Sequence, residues 1–331
     1  MSKKAISLIS GGFDSILASK IMQKQGFEVE GLNIITPFCD VTKAAQQAAD
    51  DLGIPLKTLK VEEDYLELVK HPKYGYGKAC NPCLDCHLYM CILAGKYMTE
   101  TGADCVVTGE VVGQRPKSQR KHHQELIEYK SGIKGKLLRP ISAKLLPETD
   151  VERSGLVDRE HLYAIEGRGR GPLIELAHEL GITRIPTPSP GCCLTEKSFS
   201  KRVFDCIRRC PDAESWEYDL LRIARQFRVD ETLKIAVARN SQECDVMESM
   251  FNAHKMTRPD VLFAYPEGFT GATAIAIGRS DETAKRLLGS MVVRFSKNAP
   301  EPEADVRIYW QDQQELIKAV RNDQVEAMKM L

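Results

Sequence analysis

No run of apolar residues in this chain approaches the roughly 20 needed to cross a bilayer, so no membrane-spanning helix is expected. The stretch Ala5 to Ile9 behind Met-Ser-Lys-Lys is too short for a secretory signal, which points to a cytoplasmic protein. Net charge is lacking as well. The 46 Lys and Arg balance 46 Asp and Glu, so only a local patch can argue for a nucleic-acid partner. Internal repeats and low-complexity segments are absent, which removes solenoids, collagen and wholly disordered chains. No H-E-x-x-H and no Ser/His/Asp arrangement emerges. What is present over 331 residues is 43% hydrophobic and 28% charged, the balance of a globular protein with two domains. Eleven cysteines without an export signal point to metal ligands or redox groups rather than disulfides.

The first half alternates strand and helix signals. Lys4 to Ile9, Glu28 to Ile35, Leu56 to Val61 and Asp104 to Thr108 read as strands. Asp14 to Gln25, Val41 to Leu52 and Leu84 to Thr101 read as helices. That order predicts a parallel sheet with right-handed crossovers. Residues 113–150 form a long basic excursion, and Ile174 to Leu180 is a further helix. Three prolines between Pro186 and Gly191 forbid a regular helix and shape a loop that delivers Cys192 and Cys193. Phe199 to Phe227 reads as helical, with a boundary at 226–231. The last hundred residues repeat the α/β rhythm, with strands at Leu233 to Ala238, Val261 to Ala264 and Thr273 to Ile277, and others near Val292 and Val306. The fold class expected is α/β, with a smaller carboxy-terminal α/β or α+β domain. The divisions are 1–198, a helical connector over 199–229, and 230–331.

The sharpest motif ends the first strand: Ser10-Gly11-Gly12-Phe13-Asp14-Ser15. Two glycines let the backbone turn tightly, and the following helix aims its unpaired N–H groups and positive dipole end at one place, which suits an anion. Ser10 and Ser15 add hydroxyls. Asp14 would repel bare phosphate, so it caps the helix or works through Mg²⁺. An ordinary strand-to-helix turn explains Gly-Gly alone but not all six residues. The motif resembles the PP-loop of the N-type ATP pyrophosphatases, which implies cleavage of ATP to AMP and pyrophosphate. It does not match the Walker A pattern.

Cys80-Asn-Pro-Cys83-Leu-Asp-Cys86-His-Leu-Tyr-Met-Cys91 is the densest cysteine cluster. Thiols three apart at a turn entering a helix can address one metal centre. A structural zinc knuckle is the bland alternative. Core packing explains Cys39, Cys105 and Cys244, and packing or surface positions explain Cys206 and Cys210. A ferredoxin run is excluded because Met90 stands where its fourth cysteine belongs. Gly191-Cys192-Cys193-Leu194 supplies a distant third thiol.

Asn81-Pro82-Cys83-Leu84-Asp85-Cys86, Thr108-Gly109-Glu110 to Pro116, and Leu138-Arg139-Pro140 to Lys144 resemble the PP-loop tRNA thiolases related to tRNA 4-thiouridine synthase and 2-thiouridylase. The resemblance covers residues 4–205. It implies an ATP-dependent tRNA sulfurtransferase whose 4Fe-4S cluster is held by Cys83, Cys86 and Cys192, with Cys80 and Cys193 in reserve. It also implies nucleotide contacts from the loop, Gly109 and Lys144, and a catalytic role for Asp14. 4-Thiouridine is favoured over 2-thiouridine. No rhodanese-like domain follows and no THUMP-type domain precedes the loop, so sulfide or a separate donor is expected to supply sulfur.

Between Gly113 and Lys144, nine Lys or Arg face two acids. Arg115, Lys117, Arg120 and Lys121 are the candidate RNA contacts. Residues 230–331 carry 13 basic and 16 acidic residues, which is no basic clamp. Val237 to Asn240 and Arg294 to Lys297 faintly resemble the NFACT RNA-binding module, and a homodimer interface is the competing role. Two rival functions stand beside the thiolase. One is a PP-loop ligase or amidotransferase with a structural zinc, the other a non-catalytic RNA-binding protein.

Overall fold

The computed structural model describes residues 3–187 and 191–331, in two compact units, Met1–Thr195 and Glu196–Leu331. Pro188, Ser189 and Pro190 of the expected proline loop lie outside the described residues.

The first unit runs β1 (Lys3–Leu8), α1 (Phe13–Lys24), β2 (Phe27–Ile35), α2 (Thr42–Leu52), β3 (Leu56–Lys60), α3 (Glu63–Lys70), α4 (Cys83–Thr101) and β4 (Cys105–Val107). It continues through α5 (Lys121–Lys130), β5 (Leu137–Leu138), α6 (Asp150–Arg153) and α7 (Gly171–Glu179). The sheet order is β3-β2-β1-β4-β5, with every pairing parallel. Such a sheet must be covered on both faces, which is why β4 is apolar throughout and Ala5, Ile6 and Ser7 of β1 are buried. One face packs Ile16, Leu17 and Ile21 of α1 with Leu173 and Leu176 of α7. The other packs Leu84, Ala94 and Met98 of α4 with Ile127 of α5. Each fully buried aliphatic side chain, such as Ile6 or Leu17, contributes about 1.5–3 kcal/mol. From β1 the chain winds outward through β2 and β3, and it returns to the other side with β4 and β5. The loops leaving β1 and β4 therefore part, and they leave a crevice at the carboxyl ends of the strands where ligands bind in open α/β sheets.

The second unit contains α8 (Lys197–Arg209), α9 (Ser215–Ile223), β6 (Arg225–Arg228), β7 (Lys234–Val237), α10 (Ser241–His254), β8 (Val261–Pro266) and β9 (Ala274–Ile277). It ends with α11 (Glu282–Arg294), β10 (Ala304–Trp310), β11 (Gln313–Ala319) and α12 (Asp323–Glu326). Its sheet, ordered β11-β10-β8-β9-β7-β6, is antiparallel throughout. Three expectations change here. Phe227 ends no helix: α9 stops at Ile223, and Arg225–Arg228 is an edge strand. Val292 belongs to α11, because the run Leu287 to Val293 buries a whole helix rather than one face of a strand. The rhythm of alternating elements conceals antiparallel pairing, since helices join strands that are not sheet neighbours. Among the described residues, no helix is long and apolar enough to cross a membrane.

Candidate active site

The loop after β1 is shaped by what it packs against. Gly11 sits at φ +71°, and a Cβ there would lie 2.4 Å from the Ala44 carbonyl carbon and oxygen, so only glycine fits. Gly12 begins α1, and no side chain caps the helix. The amide groups of its first turn therefore face the crevice as a ready anion cradle. Ser15 spends its hydroxyl on Gly12 O, 2.7 Å away. A Cβ on Gly109 would lie 2.4 Å from the Asp14 carbonyl carbon, so the turn leaving β4 presses directly on the start of α1. Ser10, Gly11, Gly12, Phe13, Asp14, Ser15 and Gly109 thus form one cradle.

Asp14 does not cap the helix. Gln114 Nε2 donates to its Oδ2 at 2.9 Å. Burial raises the Asp14 pKa, while Gln114, Arg115 and Arg170 pull against it. Arg170 also lies 5.3 Å from the centroid of the Phe13 ring and donates to Pro186 O at 2.9 Å. It links the phosphate loop to the segment that leads to Cys192.

The thiols assemble beside this cradle. Cys83 is the first residue of α4, and Cys86 follows it within one turn. Cys83 Sγ lies 3.1 Å from Ser118 Oγ. One helical turn on, His87 hydrogen-bonds to Cys83 and, through Nδ1 at 2.6 Å, to Glu110 Oε1. Arg139 Nε donates to Glu110 Oε2 at 2.9 Å. The result is a buried chain of alternating charge. Burial alone would raise Glu110, but Arg139 and His87 hold it at about 2. Burial disfavours a charged His87, yet Cys83 and Glu110 raise it to about 9. Burial likewise opposes ionisation of Cys83, but His87, Ser118 and Arg115 bring it to about 7.

Cys86 behaves oppositely. Burial pushes it up to about 12, against the Tyr65 hydroxyl, which lies 3.1 Å from its sulfur, and with the charges of Cys83, Cys192 and Cys39. Cys192 is pushed up by its bond to Cys193 and by burial, with Cys83 adding to the effect. The distant segment is docked by two further thiols. Cys80 donates to Leu194 O at 3.5 Å, and Cys193 donates to Phe38 O at 3.0 Å. Cys39 therefore belongs with the thiols of this site rather than to core packing, because the turn after β2 brings it there.

Among the described residues, no three Cys, His, Asp or Glu side chains converge on a point that could hold one metal ion. Cys80 is fully buried, with its thiol 3.5 Å from Leu194 O. A 4Fe-4S cluster asks for something else, because each thiolate binds a different iron and the sulfurs stand apart around it. Cys83, Cys86 and Cys192 share one neighbourhood and raise one another's cost of ionisation. A cationic group would relieve that cost, so the donor set fits the cluster.

Several basic residues stand elsewhere than expected. Lys117 donates to Gly75 O and Tyr76 O at 3.0 and 2.7 Å, which pins that turn. Lys144 donates to Glu160 O at 2.9 Å on the surface. Arg139, one of the nine basic residues of the excursion, is only 2% exposed and neutralises Glu110. Arg115, Arg120 and Lys121 are exposed. His87 and Glu110 escaped the sequence reading, although the i, i+4 spacing of Cys83 and His87 puts them on one helix face.

A parallel sheet with an anion cradle at the reversal of its strand order defines a nucleotide-binding α/β domain. Residues 3–134 match the family model described as the tRNA methyl transferase HUP domain, and residues 224–329 match the NFACT protein RNA binding domain. The tRNA-specific 2-thiouridylase MnmA of Sulfurimonas denitrificans is 36% identical over 121 residues, 34% of this chain and 36% of that protein. The MnmA of Shewanella frigidimarina is 27% identical over 215 residues, 60% of this chain and 55% of that protein. The chain thus spans about a third to about half the length of these curated relatives. A 4-thiouridine synthetase–RNA complex with bound ATP aligns at TM-score 0.38 and 20% identity, over 66% of this chain and 53% of that one. Over residues 3–134 the amino-terminal unit is thus similar to the tRNA methyl transferase HUP domain family, and the chain is similar to curated 2-thiouridylases.

Proposed function

We propose that this chain is an ATP-dependent tRNA sulfurtransferase that adenylates a uridine carbonyl oxygen and replaces that oxygen with sulfur. The observation that carries the reading is Arg115, whose charge bears on both Asp14 of the nucleotide cradle and Cys83 of the thiol group. Activation of a carbonyl and delivery of sulfur need those two chemistries side by side. The carbonyl oxygen attacks the α-phosphate of ATP, and the charge on the departing pyrophosphate is stabilised by the amides at the start of α1. Asp14 offers a carboxylate to Mg²⁺. The target base must leave its stack to reach the crevice, and a sulfur nucleophile then adds at the activated carbon as AMP departs.

Cys83, Cys86 and Cys192 would hold the 4Fe-4S cluster, which when bound supplies sulfide already ionised at neutral pH. His87, backed by Glu110 and Arg139, keeps Cys83 in the thiolate form that ligation and nucleophilic attack both require. Exposed Arg115, Arg120 and Lys121, together with the unit that matches an RNA-binding domain, supply the grip on tRNA. The names of the curated relatives favour C2 of uridine over the C4 position expected from the sequence. Sulfide or a separate donor supplies the sulfur.

The test is anaerobic incubation of the purified chain with ATP, sulfide and unmodified tRNA, followed by nucleotide analysis and nucleoside mass spectrometry. AMP, pyrophosphate and a thiouridine are expected, and the retention time assigns the isomer. AMP formation that needs no tRNA and leaves no thionucleoside would move the chain to the ligases. Absence of AMP formation would leave a non-catalytic RNA binder.

A further inference from the structure

A second thiol pair lies in the other unit, on α8. Cys206 is fully buried. Cys210 closes the helix one turn later, its amide donating to Cys206 O at 2.8 Å, and it is partly exposed. Residues four apart on a helix are about 6 Å apart along its axis, within reach of a disulfide. The two thiols bias each other's ionisation, and the buried Tyr218 stands beside Cys206.

Two cations attend the pair. Arg228 Nη2 lies 3.6 Å from Cys210 Sγ while its Nε and Nη2 hold Asp205. Lys234 is 1% exposed, its ammonium is 3.8 Å from Glu217, and it has no hydrogen-bond partner among the described residues. Both cations have carboxylate partners, Asp205 and Glu217, and their positive charge beside the pair still favours a thiolate at Cys210. The pair is polarised accordingly. The Cys206 thiol, opposed by burial and helped by Arg228 and Lys234, draws Cys210 down to about 6. Cys210, together with burial, pushes Cys206 well up. A nucleophile near the surface with a buried protonated thiol behind it is the arrangement of an attacking and a resolving cysteine.

We propose that Cys206 and Cys210 form a dithiol that takes the outer sulfur of a low-molecular-weight persulfide and releases it as hydrogen sulfide. The Cys210 thiolate attacks that outer sulfur, the donor's S–S bond breaks, and the donor leaves as its thiolate, so that Cys210 carries the persulfide. Cys206 Sγ then attacks Cys210 Sγ, hydrosulfide departs, and the Cys206 proton goes to it. Two thiol sulfurs are oxidised to a disulfide and one sulfane sulfur is reduced to sulfide. A cellular thiol reductant restores the dithiol. Only the destination of the sulfide, thiolation in the other unit, rests on the sulfurtransferase reading.

The experiment treats the reduced full-length chain with glutathione persulfide, without ATP or tRNA, and follows sulfide release and peptide-resolved mass spectra. Wild type is expected to release sulfide and to form the Cys206–Cys210 disulfide. C206S is expected to retain one added sulfur atom on Cys210 and to release sulfide at least about tenfold more slowly, and C210S to do neither. Wild-type peptides that keep both thiols unmodified would overturn the proposal whether or not the variants fold. So would a disulfide formed by peroxide but not by the persulfide. With ATP and tRNA added, C210S should thiolate from sodium sulfide as wild type does and fail from the persulfide. A wild type that thiolates from neither source would refute the sulfurtransferase and leave the dithiol result standing.

Discussion

His87→Gln isolates the part that the charge chain plays at Cys83. In the metal-free protein Cys83 has a pKa of about 7, against 9.0 for an unperturbed thiol. At pH 7 that is half thiolate, whereas a pKa of 9 leaves about one part in a hundred. Glutamine preserves a polar side chain on the same face of α4 but cannot become a cation. Burial then pushes the thiol up while Ser118 and Arg115 still pull it down, so the ordinary value is the fair reference for the variant. Alkylation at neutral pH follows the thiolate. Iodoacetamide should therefore modify Cys83 about ten- to fiftyfold more slowly in the variant at pH 7, and the two proteins should converge above pH 9. Peptide-resolved mass spectrometry across pH 5–10, with the chelated protein, separates Cys83 from the other ten cysteines. Coincident Cys83 profiles would refute the charge chain as the source of its acidity. A drop that persists unchanged at high pH would point instead to altered access.

Three further outcomes follow from the same geometry. Gly11→Ala should abolish ATP binding measured by calorimetry while thiol reactivity at Cys83 survives, because a Cβ would occupy the Ala44 carbonyl. The Glu110 carboxyl, held at about 2 rather than 4.5, contributes about 3 kcal/mol of stability. That contribution is complete above pH 4.5 and is lost as the pH falls towards 2, and Arg139→Met, which strands a buried carboxylate, should cost about 3–5 kcal/mol in denaturant melts. Cys86→Ala should remove the broad visible absorbance of an anaerobically reconstituted cluster and all thiolation, while AMP formation in the presence of tRNA persists. Retained absorbance would remove Cys86 from the ligands.

What the sequence made legible was what chain order alone determines. The alternation of elements gave the parallel sheet, and Gly11, Gly12 and Asp14 gave the cradle, because the loop follows its strand directly. Charge could not be read in the same way. Arg139 and Arg115 look alike among nine basic residues, yet one is buried against Glu110 and the other stands exposed between the cradle and the thiols. Lys117 is drawn onto the turn at Gly75 and Tyr76, whose carbonyls accept from its ammonium. The cysteines obey the same rule. Spacing found Cys83 and Cys86, which share one turn of α4, but not the turn after β2 that brings Cys39 to them. Nor did it find the cations across two strands that set Cys210 apart from a surface thiol. Local spacing thus fixes which groups can act together, whereas tertiary neighbours decide which of them carry charge. For that reason His87, invisible as a lone histidine in the sequence, is where the reactivity of Cys83 is set.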